Sequence, residues 1–326
     1  MSLNDTDIPP TYEADDRETT PRVTVVIPAY NAESSIRAAL NDVLGQTVLD
    51  LEVIVCDDGS TDGTAEAARD TLAGGPARVP WRIYTLGRYG AAGARNYAIR
   101  AARGEFVAFL DDDDRWAPEK LEASLAAIDD DGLDLVCHSE FWVDQEGTRQ
   151  LRVYRDLFNP AVHPVVSLMR NNPLSTSAVV VRREALITAG LFDESLPSAE
   201  DYDLWIRLAA LPGFRMGFIE RALGEYALRE GSESSKIQKR HRALSMIGER
   251  YGSRASTLSR WGPLEYWAYR ARTEFTTGVR YVGQRRYARG VYLALKGLAM
   301  WPFRLDWVAF SLRQRSRQRD AEEYAA

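Results

Sequence analysis

The stretch VTVVIPAYNAESSIRAALNDVLGQTVLDLEVIVCDDGSTDGT, residues 23–64, decides the fold. VTVVIP (23–28) and LEVIVC (51–56) are unbroken apolar runs rich in β-branched residues. Such runs belong to strands covered on both faces. Between them a helical pattern extends from about Glu33 to Leu44, and Gly45 suits its C-terminal stop. A strand, a helix and a strand in succession form a βαβ unit with parallel strands. DDGSTDGT is rich in turn residues, and Ser60, Thr61 and Asp62 are able to cap a helix through Leu72.

The same alternation continues outward. WRIYTL (81–86), GEFVAFL (104–110) and LDLVCH (133–138) read as strands, separated by helices over Ala91–Arg103 and about Pro118–Ile128. The expected fold class is α/β: a Rossmann-like, mostly parallel sheet with helices on both faces. Farther on, STSAVVV (175–181) reads as a strand, DYDLWIRLAAL (201–211) as a helix, and FRMGFI and ALGEYAL as short strands. Helical patterns then cover Lys236–Tyr251, Pro263–Val282, Tyr287–Ala299 and Phe303–Arg319. The expected organisation is a disordered arm over residues 1–21, an α/β domain over 22–228 and a basic helical extension over 229–326.

Composition narrows the function classes. The chain has 326 residues, 45% hydrophobic and 27% charged, enough to bury a full core. Its two cysteines, Cys56 and Cys137, sit in apolar runs and read as buried thiols. They exclude a disulfide framework and a cysteine-based zinc module. No apolar run approaches the roughly 18 residues of a spanning helix. The acidic N-terminus does not resemble a signal peptide, so a cytoplasmic location is expected. Residues 1–235 carry 22 Lys and Arg against 40 Asp and Glu, whereas residues 236–326 carry 19 against 7. An acidic first part argues against nucleic acid as its ligand. The basic end faces a different partner.

Polar motifs sit at the expected carboxyl ends of the strands, where ligands bind in open α/β sheets. AYN follows the first strand, DDGS the second and DDDD the fourth. The four carboxylates Asp111–Asp114 repel one another and need a cation or protons. Asp111 and Asp113 are able to turn towards one divalent ion, and oxygen-only ligands suit Mg²⁺ or Mn²⁺. A solvated acidic loop is the bland alternative. It is preferred for the second acidic run, Asp129–Asp131, which follows a helix and precedes Gly132. A phosphatase-type nucleophile is disfavoured because DDDDRWAPEK lacks the accompanying hydroxyl.

Asp57 and Asp58 are either turn residues or acceptors for the imide N–H of a uracil or thymine, with Tyr30 stacking on that base. Arg88 and Arg95 flank GAAGARN, where glycine permits close backbone approach and arginine can meet phosphate. Arg95 could equally brace the sheet edge. Glu200 and Asp201 precede a helix, where acids serve as caps or as a general base. His138, His163 and His241 are scattered without metal-ligand spacing.

Taken in order, VTVVIPAYN, EVIVCDDGSTDGT, GARNYAI, GEFVAFLDDDDRWAPEKL, GLFDE and EDYDLWIRLA resemble the family-2 glycosyltransferases of the GT-A fold across about residues 22–228. The resemblance implies an inverting, metal-dependent transferase of the DXD type that uses a nucleotide-sugar. It places Pro28 and Tyr30 in the nucleotide pocket, with Asp58 and Arg88 at the base and Asp112 near the ribose. Asp111 and Asp113 become the Asp-x-Asp pair, with Asp113 the direct metal ligand. Asp201 becomes the catalytic base and Glu200 its neighbour. Many relatives carry a histidine in the segment that here reads YALREGSESS, where this chain has Arg229. Arginine cannot ligate metal but can pair with diphosphate.

The expected donor is a UDP-sugar; Asp58 disfavours cytosine, which lacks the imide N–H, and leaves thymine and guanine open. The expected acceptor is a glycan or lipid-linked hydroxyl in envelope polysaccharide, lipopolysaccharide or glycoconjugate synthesis. Two competing functions are a nucleotide-sugar-binding scaffold that has lost catalysis and a nucleotidyltransferase. VVIPAYNAESS lacks the Gly-rich basic loop that the latter needs. In the basic end, Trp301, Phe303, Trp307 and Phe310 are interleaved with Arg304, Arg313, Arg315, Arg317 and Arg319. That pattern suits either an anionic membrane surface at the inner face of the cell membrane or a helical cap packed on the catalytic domain or a second subunit.

Overall fold

Both apolar runs form strands buried along their whole length, β2 (Val23–Ala29) and β3 (Leu51–Asp57). Successive side chains of a strand point to opposite faces, so a continuous run needs two apolar layers. Val26 and Ile54 enter one core cluster, whereas Val25 and Val53 enter the other. The first cluster is completed by Tyr97, Leu168 and Trp205, the second by Ile36, Leu40 and Leu125. The computed structural model describes residues 8–14, 20–76, 79–229, 236–260 and 262–300.

The remaining strands are β1 (Tyr12–Ala14), β4 (Trp81–Thr85), β5 (Phe106–Phe109), β6 (Arg115–Trp116), β7 (Leu135–Val143), β8 (Arg149–Arg152), β9 (Val179–Arg182) and β10 (Met216–Ala227). They form one sheet in the order β1-β4-β3-β2-β5-β9-β7-β10-β6, with β8 on β7. β4, β3, β2 and β5 are mutually parallel, as is the β7–β10 pair, and the other pairings are antiparallel. The expected parallel unit is thus present within a mixed sheet.

The helices are α1 (Ile36–Leu44), α2 (Thr64–Ala73), α3 (Gly90–Ala101), α4 (Lys120–Asp131), α5 (Pro164–Arg170), α6 (Arg183–Thr188), α7 (Glu200–Ala209), α8 (Ile237–Leu258), α9 (Leu264–Gly283) and α10 (Tyr287–Met300). α9 and α10 run antiparallel in close contact. A Cβ added at Gly278 would lie 2.4 Å from the Ala294 nitrogen, and one at Gly297 would lie 2.5 Å from the Ala271 oxygen. Only glycine permits that approach.

Four local expectations change. Residues 12–14 of the supposed arm form β1, because their backbone completes the open edge of β4 and Arg69 stacks 5.0 Å from the Tyr12 ring. Thr176–Ala178 is a 3-10 turn, and only Val179–Arg182 joins the sheet. FRMGFI and ALGEYAL fall within a single long strand, β10, whose register shifts at Ile219/Ala222 and Ala222/Glu225 hid its continuity. Asp129–Asp131 is the last turn of α4, closed by Gly132 in the left-handed conformation (φ 60°). The residues 301–319 read as an aromatic and basic helix lie outside the described residues. Both cysteines are buried free thiols, as expected.

Candidate active site

The loops leaving β2 and β3 are tied together by backbone-directed hydrogen bonds. The Asn31 amide donates to Ser60 Oγ (2.9 Å), and Asn31 Oδ1 accepts from the Thr61 amide (2.9 Å). Asn31 itself takes the left-handed conformation (φ 50°). Asp57 accepts from the Ser60 amide (3.1 Å) and hydroxyl, so this acid closes its own turn. Pro28 lies in the buried last part of β2.

Asp58 has a longer reach. Its two oxygens accept from the Tyr89 amide (2.5 Å) and the Gly90 amide (2.8 Å), which fixes the loop between β4 and α3. Burial raises its pKa above the ordinary carboxylate value, against the pull of those amides. In that loop Arg88 takes φ 58° and sets its guanidinium 4.5 Å from the centre of the half-exposed Tyr30 ring. Tyr30, Asp58 and Arg88, which lie at three separate strand ends, therefore share one rim.

The acidic loop follows β5. The Asp111 amide donates to Ser177 Oγ (3.0 Å), whose hydroxyl donates to Asp114 (2.5 Å). The other Asp114 oxygen accepts from the Ala227 amide (2.9 Å). Asp114 is thus the strut that holds the loop to β10, and burial pushes its pKa well up. Asp112 accepts from the Tyr30 amide (3.4 Å), and burial followed by Asp113 and Asp111 pushes it up to about 7. Asp113 is raised by burial and by Asp111 despite its ion pair with Arg229 Nε (3.0 Å).

Arg95 joins the two acidic motifs. It donates to Asp111 Oδ1 (2.6 Å) and to Glu200 Oε1 (3.2 Å) while only 5% exposed. Desolvation works against the charge, yet Asp111 and Glu200 hold its pKa above the usual value. The buried guanidinium meets carboxylates, the bracing role that the sequence left open. Asn96, next in the chain, both donates to (2.9 Å) and accepts from (2.8 Å) the Phe192 backbone, which links GARN to GLFDE. At the start of α7, burial and then Glu200 push Asp201 up to about 6, opposed by Arg240, the Tyr202 amide and Arg95.

Asp111 and Asp113 offer oxygen donors at the rim, each beside an arginine. Among the described residues no three His, Cys, Asp or Glu side chains converge as a ready metal cage. The donor set fits a hard cation that completes its shell with water and a diphosphate, rather than one enclosed by protein. His138 plays no such part. It is buried beside Lys120, and burial brings its pKa down to about 3.

Several site residues escaped the sequence reading. Ser177 was hidden in a segment read as strand, and Asp114 was the unassigned fourth member of its run. Glu140 is a buried carboxyl held by the Tyr154 hydroxyl and Trp142 Nε1 (3.1 Å), and burial lifts it to about 7. Its one signal was an acid inside a strand pattern, HSEFW.

The model of glycosyl transferase family 2 matches residues 24–187, and that of glycosyl transferase family group 2 matches 106–315. The chain belongs to glycosyl transferase family 2. It is 30% identical over 231 residues to the Escherichia coli UDP-Glc:alpha-D-GlcNAc-diphosphoundecaprenol beta-1,3-glucosyltransferase WfgD, covering 70% of this chain and 85% of that protein. It is also 30% identical to the putative teichuronic acid biosynthesis glycosyltransferase TuaG of Bacillus subtilis, with 67% and 84% covered.

Among solved structures, residues 1–349 of S. aureus TarS in complex with UDP-GlcNAc superpose with a TM-score of 0.60 at 20% identity, covering 86% of this chain and 91% of that one. The mannosyltransferase PcManGT of Pyrobaculum calidifontis, in complex with GDP-Man and Mn²⁺, gives 0.60 at 22% identity, with 95% and 82% covered. These likenesses identify the fold as GT-A with C-terminal helices. No helix among the described residues is long and apolar enough to cross a membrane.

Proposed function

We propose that this glycosyltransferase moves a sugar from a UDP-sugar to an acceptor hydroxyl with inversion, in the synthesis of a cell-envelope glycan. The observation that carries the reading is Arg95, which bridges the acids of the donor rim to those at the start of α7. The base stacks at the Tyr30–Arg88 pair above Pro28, and its imide N–H donates to Asp58, whose oxygens have lone pairs left. Asp57 keeps that turn in shape, and Asp112 faces the ribose.

Asp201, with its raised pKa, takes the proton of the acceptor hydroxyl. The hydroxyl oxygen forms the new bond to the anomeric carbon as the bond to the diphosphate breaks from the opposite side. Glu200, fixed by Arg95, keeps Asp201 basic. Arg229 exchanges Asp113 for the departing diphosphate. Mg²⁺ or Mn²⁺ held by Asp113 and Asp111 supplies charge neutralisation at that diphosphate.

WfgD and TuaG support an envelope glycan or a lipid-linked acceptor. The C-terminal helices support a peripheral contact with an anionic membrane. From Phe275 to Leu305 there are six basic residues, Arg280, Arg285, Arg286, Arg289, Lys296 and Arg304, and no Asp or Glu. On α10, whose basic residues are Arg289 and Lys296, Tyr292 (65%) and Leu295 (60%) are exposed. Flotation of the chain with phosphatidylglycerol vesicles tests that contact, and failure to float overturns it.

The donor reading is tested by calorimetric titration of UDP, GDP, dTDP and CDP with and without Mn²⁺. UDP alone should bind, and only with Mn²⁺. Binding of none of them refutes the nucleotide-sugar reading, and binding of another nucleotide reassigns the donor.

A further inference from the structure

Lys120 is the first residue of α4 and is wholly buried. Among the described residues its Nζ has no hydrogen-bond partner. Burial pulls its pKa well below the ordinary lysine value. The titratable side chains beside it give no counter-charge. Burial pushes the Cys137 thiol up and brings His138 down to about 3, so both are uncharged at neutral pH. The positive end of the α4 dipole adds to the cost of a cation there. An apolar side chain of similar volume would serve the core as well or better. A buried polar group of this kind calls for an explanation other than stability.

The explanation lies in what Nζ touches. It stands 3.7 Å from the centre of the Trp116 ring. An indole face attracts a cation and accepts N–H donors, so the contact holds in either protonation state. Trp116 is itself buried, and both of its N–H groups are committed. The amide donates to Asp42 (3.0 Å), and Nε1 donates to the Ser177 carbonyl (2.8 Å). The hydroxyl of the same serine accepts from the Asp111 amide (3.0 Å) and donates to Asp114 (2.5 Å). A line of contacts therefore runs from Lys120 through Trp116 and Ser177 to both ends of the acidic loop.

We propose that Lys120 is a positioning residue: its Nζ fixes the Trp116 ring, and that ring holds the Ser177 turn on which the Asp111–Asp114 loop is built. The positioning rests on these contacts alone. Its effect on donor binding rests on Asp111 and Asp113 being the metal site.

Amide hydrogen exchange of the full chain, followed at residues 111–114 without metal, tests the positioning. Lys120→Met keeps the length of the side chain and removes its N–H groups. The Asp111 amide should exchange about tenfold faster, a loss within the range of one desolvated cation–π contact. The denaturant midpoint should be no lower than that of the unaltered chain. Trp116→Phe keeps a ring and loses Nε1–H. It should speed the same amide, and the double variant should be no faster than Trp116→Phe alone. UDP affinity measured with Mn²⁺ should fall in both single variants. Unchanged Asp111 exchange in Lys120→Met overturns the proposal. A lower midpoint, or failure of that variant to fold, makes the lysine a structural residue and overturns it too. Unchanged exchange in Trp116→Phe removes the route through the indole. If the loop loosens as expected but UDP does not bind the unaltered chain, the donor reading falls while the positioning stands.

Discussion

Strand β2 and helix α10 are both rich in apolar residues, and they use them in opposite ways. In β2 the side chains of Val23, Val25, Val26 and Ile27 are wholly buried, split between two cores. In α10 Leu293 is buried, whereas Tyr287, Val291, Tyr292, Leu295 and Leu298 are about half exposed or more. The catalytic sheet has satisfied its apolar surface internally. In the hairpin of α9 and α10 part of the apolar surface stays exposed, and α10 itself carries Arg289 and Lys296 but no acid. The two regions meet where Arg250 (3.2 Å) and Tyr251 (2.8 Å) of α8 donate to Asp203 of α7, two residues from Asp201.

This division can be broken most sharply at the junction. Asp201→Asn should lower the transfer rate by about 10²–10⁴-fold while leaving UDP affinity unchanged. A variant that transfers sugar normally removes Asp201 as the base. The same residue sets a pH dependence. A general base works as the carboxylate, and Asp201 is pushed up to about 6. The value of kcat/KM should therefore fall about tenfold per pH unit as pH drops below that value. A flat profile from pH 7 to 5 would place the base elsewhere.

Within the platform, Arg95→Gln should cost about 3–5 kcal/mol of stability, because it strands Asp111 and Glu200 beside a buried neutral group. Arg95→Lys should recover only part, since one ammonium cannot span both acids. Denaturant midpoints measure the effect, and a midpoint equal to that of the unaltered chain would show that the bridge is dispensable.

The smallest effect is expected in the hairpin. Gly278→Ala brings a Cβ to 2.4 Å from the Ala294 nitrogen and should cost about 1–3 kcal/mol. Faster amide exchange confined to α9 and α10, with UDP affinity intact, would confirm two separable regions. Loss of UDP binding in step with the hairpin would make them one.

Much of the platform was legible because its signals are local. A buried parallel strand shows itself in consecutive β-branched residues, and a loop at its carboxyl end shows itself in DDGS or DDDD. The acids of those loops were readable as candidates for the same reason. Local pattern failed where contacts decided the outcome. Residues 176–178 look like part of a strand, but Ser177 is turned to hold Asp111 and Asp114. Residues 12–14 look like part of a polar arm, but an open sheet edge recruits them.

The sequence by itself therefore determined the βαβ alternation, the position of the acids at strand ends and the change of charge after residue 235. These depend on periodicity and composition, which neighbouring residues carry. Tertiary structure decided which strands run antiparallel, that Arg95 spans Asp111 and Glu200, and that Ser177 links Asp111 to Asp114. Arg95 and Glu200 are 105 positions apart. No local spacing encodes their meeting, because it arises only when α3 and α7 cover the same face of the sheet and exclude water from between them.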